Sequence, residues 1–417
     1  KVTSNVVKQR IGEAEETKKE ITVAREGYRP VATRGSVIYF VIAQLAKIDG
    51  MYQYSLQFFT KLYNIRLQQV PMTDDLDLRL ENLSSDVTKT FHAAVCLGLF
   101  EKDKQAYALL LAAAILKERK DMDDAEWAFF VSGGGGSVGG EDLLMPNAPW
   151  VTPYVWSSLK ALETTFPSYF TGLTKHVRKN LSLWLPIATG EGVDANSTLS
   201  SRLPMPFRDS LTPFQSLLLM RAVDDTLLLP SVTEFIGEIL GPSFRTPPSL
   251  ELRKVLSDSL PEQPLLFLCS SGADPTNSLL QLSRDTNNNV RTVSLGQGQG
   301  PVAEGHLSAG MQGGDWVLLQ NCHLSVSFLP RLEELVETKM TDAAGSLHLD
   351  FRLWLTSMPT KAFPASILQV ALKMSVQPPR GIRANMLQSF ASNVEQGDLD
   401  RFSGTSIDVP YRRLIFG

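Results

Sequence analysis

The sequence predicts a mixed fold: an all-α part followed by an α/β part built on a parallel sheet. Three observations carry this expectation. Apolar residues recur at helical spacing between Ser36 and Leu240, with little strand signal. From Leu265 onward, short continuous apolar runs alternate with helical segments, the pattern of a parallel sheet covered on both faces. At 417 residues the chain is too long for one ordinary core, and a prior of about 150 residues per domain gives two or three units.

Taken in order, Val2 to Glu26 is rich in Glu, Lys and Arg, with Val7, Ile11, Ala14 and Ile21 spaced by four, three and seven residues in one narrow apolar stripe. The stripe suits a long exposed helix packed on a single partner helix, and equally an ordinary surface helix. Gly27 and Pro30 are expected to end it. Helices follow over Ser36 to Ile48, Met51 to Leu67, Ser84 to Phe100 and Asp103 to Glu118, with Ser84, Ser85 or Asp86 able to cap the third and Asp103 the fourth. Ser132 to Gly140 holds six glycines in nine residues and reads as a flexible boundary or a long loop. A second helical stretch contains Trp150 to Leu185 and Pro213 to Leu240. Strands are expected at Leu265 to Ser270, Val290 to Leu295, Asp315 to Asn321 and Phe351 to Ser357. Helices lie between them at Pro275 to Arg284, Pro301 to Met311 and Leu329 to Lys339, and the chain turns helical again from about Ile382.

Composition removes several function classes. A net charge of −4 provides no global basic field for a phosphate backbone, so nucleic acid is not an expected partner. The longest apolar run, Ala106 to Leu116, is about half of the roughly 20 residues needed to cross a bilayer and reads as a buried helix, so no membrane is expected either. Cys96, Cys269 and Cys322 lie far apart without a C-x-x-C pair, and are expected as small core residues of a reducing compartment, with no metal site. Cys322 and His323 are adjacent and on a strand end would point to opposite faces. Both chain ends read as cut, and no signal peptide is legible.

The chemistry-bearing signals lie in the α/β part. The first strand runs into Gly272, Ala273, Asp274, Pro275, Thr276, Asn277 and Ser278 and then a helix, the layout in which free backbone N–H groups face a phosphate. Laid on G-x-x-x-x-G-K-[ST], however, Asn277 takes the second glycine, Ser278 the lysine and Leu279 the magnesium hydroxyl. The third strand ends on Gln320 and Asn321, where a hydrolytic NTPase carries acidic groups, and an amide cannot act as a general base. By the residues alone this is an NTPase layout without a working site, or a parallel sheet that never bound nucleotide. Leu295 to Pro301 fails G-x-G-x-x-G because the last glycine falls on Pro301, so it reads as a tight turn into a helix. Asp123-Asp124 and Asp224-Asp225 read as solvated helix positions or caps, and Trp127, Trp150, Trp156 and Trp184 as packing residues. No G-x-S-x-G or H-E-x-x-H occurs.

Several strings occurring in one order resemble the dynein heavy chain. Arg25-Glu26-Gly27-Tyr28-Arg29-Pro30, Met51-Tyr52-Gln53-Tyr54-Ser55-Leu56 and Gly98-Leu99-Phe100-Glu101-Lys102-Asp103-Lys104 resemble the helical lid of its fifth AAA+ module. Gly272-Ala273-Asp274-Pro275, the Leu295 to Pro301 turn, Leu319-Gln320-Asn321-Cys322-His323-Leu324, Phe351-Arg352-Leu353-Trp354-Leu355-Thr356-Ser357 and Pro378-Pro379-Arg380-Gly381-Ile382-Arg383 resemble its sixth. The forms around Gln320 and Trp354 are closer to axonemal than to cytoplasmic dyneins, which implies a cilium or flagellum.

The resemblance implies an AAA+ parallel-sheet core, P-loop NTPase-like but degenerate, with helical lid domains. Residues 1–26 would be a helix of the coiled-coil buttress, 27–131 the small domain of the fifth module, 132–149 a linker, 150–377 the large domain of the sixth and 378–417 the start of its small domain. Thr356 and Ser357 would fall at the sensor on the fourth strand and Arg383 at the lid sensor, holding packing contacts and no γ-phosphate. The parent chain would be a microtubule motor that binds ATP and Mg in other modules and associates with intermediate and light chains. This segment would need no cofactor and would pass motion between the ATPase modules and the stalk. Two alternatives stay open: a nucleotide-binding regulatory module with residual ATPase, and a helical adaptor unrelated to motors.

Overall fold

A computed structural model describes residues 25–73, 75–133, 145–190, 198–296, 298–341 and 347–378, together with 18, 22, 381–383 and 386. Most of the predicted first helix, the glycine-rich segment beyond Gly133 and the start of the last helix therefore lie outside the described residues. By contacts the chain divides into two compact units, residues 1–250 with 368–370, and residues 251–367 with 371–417.

The first unit is helical. Its main helices are α1 (Arg29–Gln44), α2 (Leu56–Gln69), α3 (Leu76–Gly98), α4 (Glu101–Arg119), α5 (Asp124–Ser132), α6 (Pro153–Thr165), α7 (Pro213–Val223) and α8 (Leu228–Ile239). Four starts differ from the sequence reading. The described helical residues before α1 end at Gly27, and Pro30, ahead of the expected start at Ser36, sits in the first turn of α1, where its missing N–H costs nothing. Helix α2 begins at Leu56 because the Ser55 hydroxyl accepts the Phe58 N–H at 3.0 Å. Helix α3 begins well before Ser84, since the Asp75 carboxylate accepts the N–H groups of Asp77 and Leu78. Asp103 caps nothing: α4 starts at Glu101, and Asp103 instead accepts the Tyr52 hydroxyl at 2.7 Å. Asp123 does cap α5, through a capping box with Glu126.

One apolar core runs from Ala108, Ala112 and Leu116 of α4 to Trp156, Phe214 and Phe235 of α6, α7 and α8, with Trp184 fully buried inside it. The core therefore crosses the boundary read at residues 132–149. All four tryptophans singled out in the sequence pack in or against it. At its edge His92 is buried between Tyr107 and Phe244, with ring centroids 5.9 and 4.6 Å away, and with the Cys96 thiol 3.5 Å from Nε2.

Burial pushes His92 from its ordinary 6.5 down to about 4. The folded ring stays neutral while the unfolded chain takes up a proton, so this contribution to stability is complete above pH 6.5 and lost as pH falls towards 4. We expect acidification over that window to destabilise the protein by about 2–3 kcal/mol through this ring. The check is urea unfolding at a series of pH values for the wild type and His92→Gln. Identical pH dependence in both proteins would exclude His92 as the cause.

The second unit opens with α9 (Leu252–Asp258) and carries β1 (Leu265–Cys269), α10 (Thr276–Asp285), β2 (Val290–Ser294), α11 (Gly300–Gly313), β3 (Trp316–Gln320), α12 (Leu329–Leu335), β4 (Arg352–Ser357), the first half of α13 (Ala365–Val370), whose residues 368–370 group with the first unit, and β5 (Leu372–Val376). Helix α12 runs on as a π-helical turn, Val336–Thr341. All pairings are parallel, in the order β2-β3-β4-β1-β5. Strands β1, β3 and β4 are buried on both faces, which is why they read as unbroken apolar runs. The fifth strand is absent from the sequence reading. It lies at an edge and carries Lys373 and Ser375 in its five residues, which breaks the apolar run. Lys373 is nonetheless 2% exposed, and burial lowers its ammonium to about 7. All three cysteines are free and buried, and among the described residues no helix is long and apolar enough to cross a membrane.

Candidate functional site

The site lies where ligands bind in open parallel sheets, at the carboxyl ends of the strands. After β1 the chain is held by the Ser270 N–H on the Val376 carbonyl at 3.0 Å and turns through Gly272, whose φ of +79° favours glycine. The Ala273 N–H closes this turn on the Ser270 carbonyl at 3.0 Å, and Pro275 leads into α10.

From Asp274 onward the loop departs from a phosphate cradle. One oxygen of the Asp274 carboxylate accepts both the Thr276 N–H at 2.9 Å and the Thr276 hydroxyl at 2.5 Å. The protein's own anion thus takes a helix N-terminal N–H that would otherwise face a phosphate. From β3, the Gln320 side-chain amide donates to the same Thr276 oxygen at 2.6 Å. Asn277 and Ser278, at the second glycine and lysine positions, are exposed. Leu279, at the hydroxyl position, is fully buried in the core.

The other predicted residues meet beside this group. Asn321 adopts a left-handed conformation at φ +57°, and its N–H donates to the Thr356 hydroxyl at 3.0 Å. Its side chain donates to the Ser294 hydroxyl at 3.4 Å. Thr356 and Ser357 are 5% and 1% exposed, and the Ser357 hydroxyl donates to the Met358 carbonyl at 2.8 Å. Arg383 is not part of the group: it is exposed, and among the described residues no hydrogen bond or ion pair joins it to the loop. Sequence reasoning gave no role at this site to Ser294, which no motif marks, and placed His323 only beside Cys322 and within the Leu319 to Leu324 string. His323, whose pKa partial burial lowers, accepts the Met358 N–H on Nδ1 at 3.1 Å and so ties the turn after β3 to the end of β4.

Chemically, the arrangement offers hydrogen bonds and one exposed carboxylate. Amides at 320 and 321 cannot take a proton from water, and Leu279 cannot ligate a metal. Burial raises Cys322 to about 12 and, with the Asp274 charge adding to it, Cys269 to about 11, so both remain thiols at neutral pH. Among the described residues, no three His, Cys, Asp or Glu side chains are grouped to hold a metal ion.

The sheet order, the strand-turn-helix after β1 and the residues at the ends of β3 and β4 define a P-loop NTPase-like AAA+ module with accompanying helices. Residues 260–375 match the dynein heavy chain region D6 P-loop domain. Along its whole length the chain is 35% identical to dynein axonemal heavy chain 6 of Homo sapiens and 36% identical to dynein axonemal heavy chain 3 of Mus musculus, covering 10% of each. It is 33% identical to the dynein-1-beta heavy chain, flagellar inner arm I1 complex, of Chlamydomonas reinhardtii, of which it covers 9%. The chain belongs to the dynein heavy chain family, and it spans about a tenth of the length of these curated relatives.

Proposed function

We propose that this segment is a non-hydrolysing structural module of a dynein motor ring, linking conformational change in the ATPase modules to the stalk. The observation that carries the reading is the Gln320 to Thr276 to Asp274 chain of hydrogen bonds, which joins the loop after β1 to the end of β3 through protein atoms alone. Phosphoryl transfer depends on cations that offset the developing charge, and the loop instead presents a carboxylate. Family membership argues against the adaptor reading.

On this proposal the parent chain is a minus-end-directed microtubule motor of the ciliary or flagellar axoneme. It binds ATP and Mg in its other modules and carries intermediate and light chains. Residues 27–131 belong to the small domain of the fifth module, 150–377 to the large domain of the sixth and 378–417 to the start of its small domain. Residues 1–26 contribute to the buttress, with 132–149 as linker. A closed ring moves its modules as rigid bodies, so a module without chemistry serves as a stiff spacer.

The test is equilibrium binding of magnesium-ATP to the chain, with phosphate release followed under the same conditions. No saturable binding and no release are expected. Stoichiometric turnover would establish the rival, a regulatory module with residual ATPase.

A further inference from the structure

We propose that Thr276 is the hub of a metal-free clasp that holds the carboxyl ends of the strands in one fixed arrangement, a role that rests on the reading of this loop as a degenerate phosphate site. Strand β4 lies between β1 and β3, so the loop after β1 and the end of β3 are not sheet neighbours, and no backbone ladder joins them. The Gln320 to Thr276 bond of 2.6 Å spans that gap. An NTPase of this layout bridges the same gap with metal and polyphosphate, which come and go with each turnover.

Here the bridge is made of side chains. The Thr276 hydroxyl is used in both directions, accepting from Gln320 and donating to Asp274, so its proton is committed and one lone pair is already taken. The remaining strand ends are tied to the same group. Asn321 joins β3 to β4 through Thr356 and to β2 through Ser294, the Met358 N–H joins the end of β4 to His323, and the Ser270 N–H joins β1 to β5. Removing this bond, which skips a strand, separates the β1 loop from the β3 end without touching the ladder. The clasp therefore makes the stiffness of this edge independent of nucleotide, whereas in a hydrolysing module the same edge responds to it.

Amide hydrogen exchange of the nucleotide-free chain tests this. Thr276→Val keeps the shape and removes the hydroxyl, and it is expected to speed exchange about tenfold in residues 272–280 and 320–323, leaving the helical unit unchanged. Gln320→Leu should reproduce the loss of the strand-skipping bond from the other side, and adding it to Thr276→Val should change little, because Thr276→Val already removes the Gln320 bond along with the hydroxyl's bond to Asp274. Thr276→Ser retains the hydroxyl and should exchange like the wild type. Wild-type exchange in Thr276→Val, or additive effects in the double variant, would overturn the clasp. Turnover of ATP by the wild type would instead overturn the non-hydrolysing reading, so the two failures are distinguishable.

Discussion

A valine at position 310 is expected to lower the melting temperature of the protein's α/β unit by about 10 °C, corresponding to roughly 3 kcal/mol at ~3 °C per kcal/mol. Gly310 lies in α11 where that helix crosses β3. A Cβ there would stand 2.7 Å from the Val317 Cγ2, 3.1 Å from the Asp315 carbonyl oxygen and 3.3 Å from the Phe351 ring. Val317 and Phe351 are fully buried, and the carbonyl is backbone, so none of the three can move aside freely. The better helix propensity of a residue with a side chain recovers at most about 1 kcal/mol and does not offset the overlap. Gly305 on the same helix supplies the control, because a Cβ there meets nothing within 4 Å. Gly305→Ala should hold or raise the melting temperature. Calorimetry showing equal shifts for the two variants would mean that the α11 to β3 contact is looser than these distances require.

This contact also bears on how much of the structure is legible in the residues alone. Four of the five strands are legible: in β1, β3 and β4 burial on both faces makes the apolar run itself the signal, and in β2 the β-branched Val290, Thr292 and Val293 supply it. Strand β5 is not, because Lys373 and Ser375 alternate with Leu372, Met374 and Val376 and leave neither an apolar run nor a β-branched cluster. Helix starts mislead where two capping signals compete. Ser84, Ser85 and Asp86 form a strong local signature, yet they lie inside α3, because Asp75 caps a register in which Leu83, Val87, Phe91 and Val95 all reach the core. Tertiary burial outranks the local cap.

The site divides in the same way. The turn at Gly272, the amides at 320 and 321 and the loss of lysine and hydroxyl at 278 and 279 are facts of residue type, and the sequence states them directly. That Asp274 would bind its own helix start is a local turn over two residues, whereas that Gln320 would reach Thr276 depends on the ends of β1 and β3 lying on either side of β4. Only the strand order reveals the second of these. Arg383, assigned to the lid sensor through the family resemblance, is exposed.

Rebuilding the motif separates its exposed half from its buried half, and the second large effect is expected there. Ser278→Lys should be nearly neutral, within about 0.5 kcal/mol, because position 278 is exposed on the first turn of α10. Leu279→Thr should cost about 3–4 kcal/mol. The leucine is fully buried, so the change removes apolar volume and places a hydroxyl in the core next to no designed partner. Urea unfolding of the two single variants and the double variant gives the comparison, and a Leu279→Thr cost below about 1 kcal/mol would show that this position can turn outward. The double variant carries the lysine and the hydroxyl of a phosphate loop, yet it should still fail to bind magnesium-ATP. Asp274 continues to hold the helix N-terminus, and Gln320 still supplies an amide where a metal needs a carboxylate. The inactivity would then reside in the packing of α10 and in the bonds of Thr276 as much as in the two missing side chains, so that regaining hydrolysis requires changes in the core as well as in the loop.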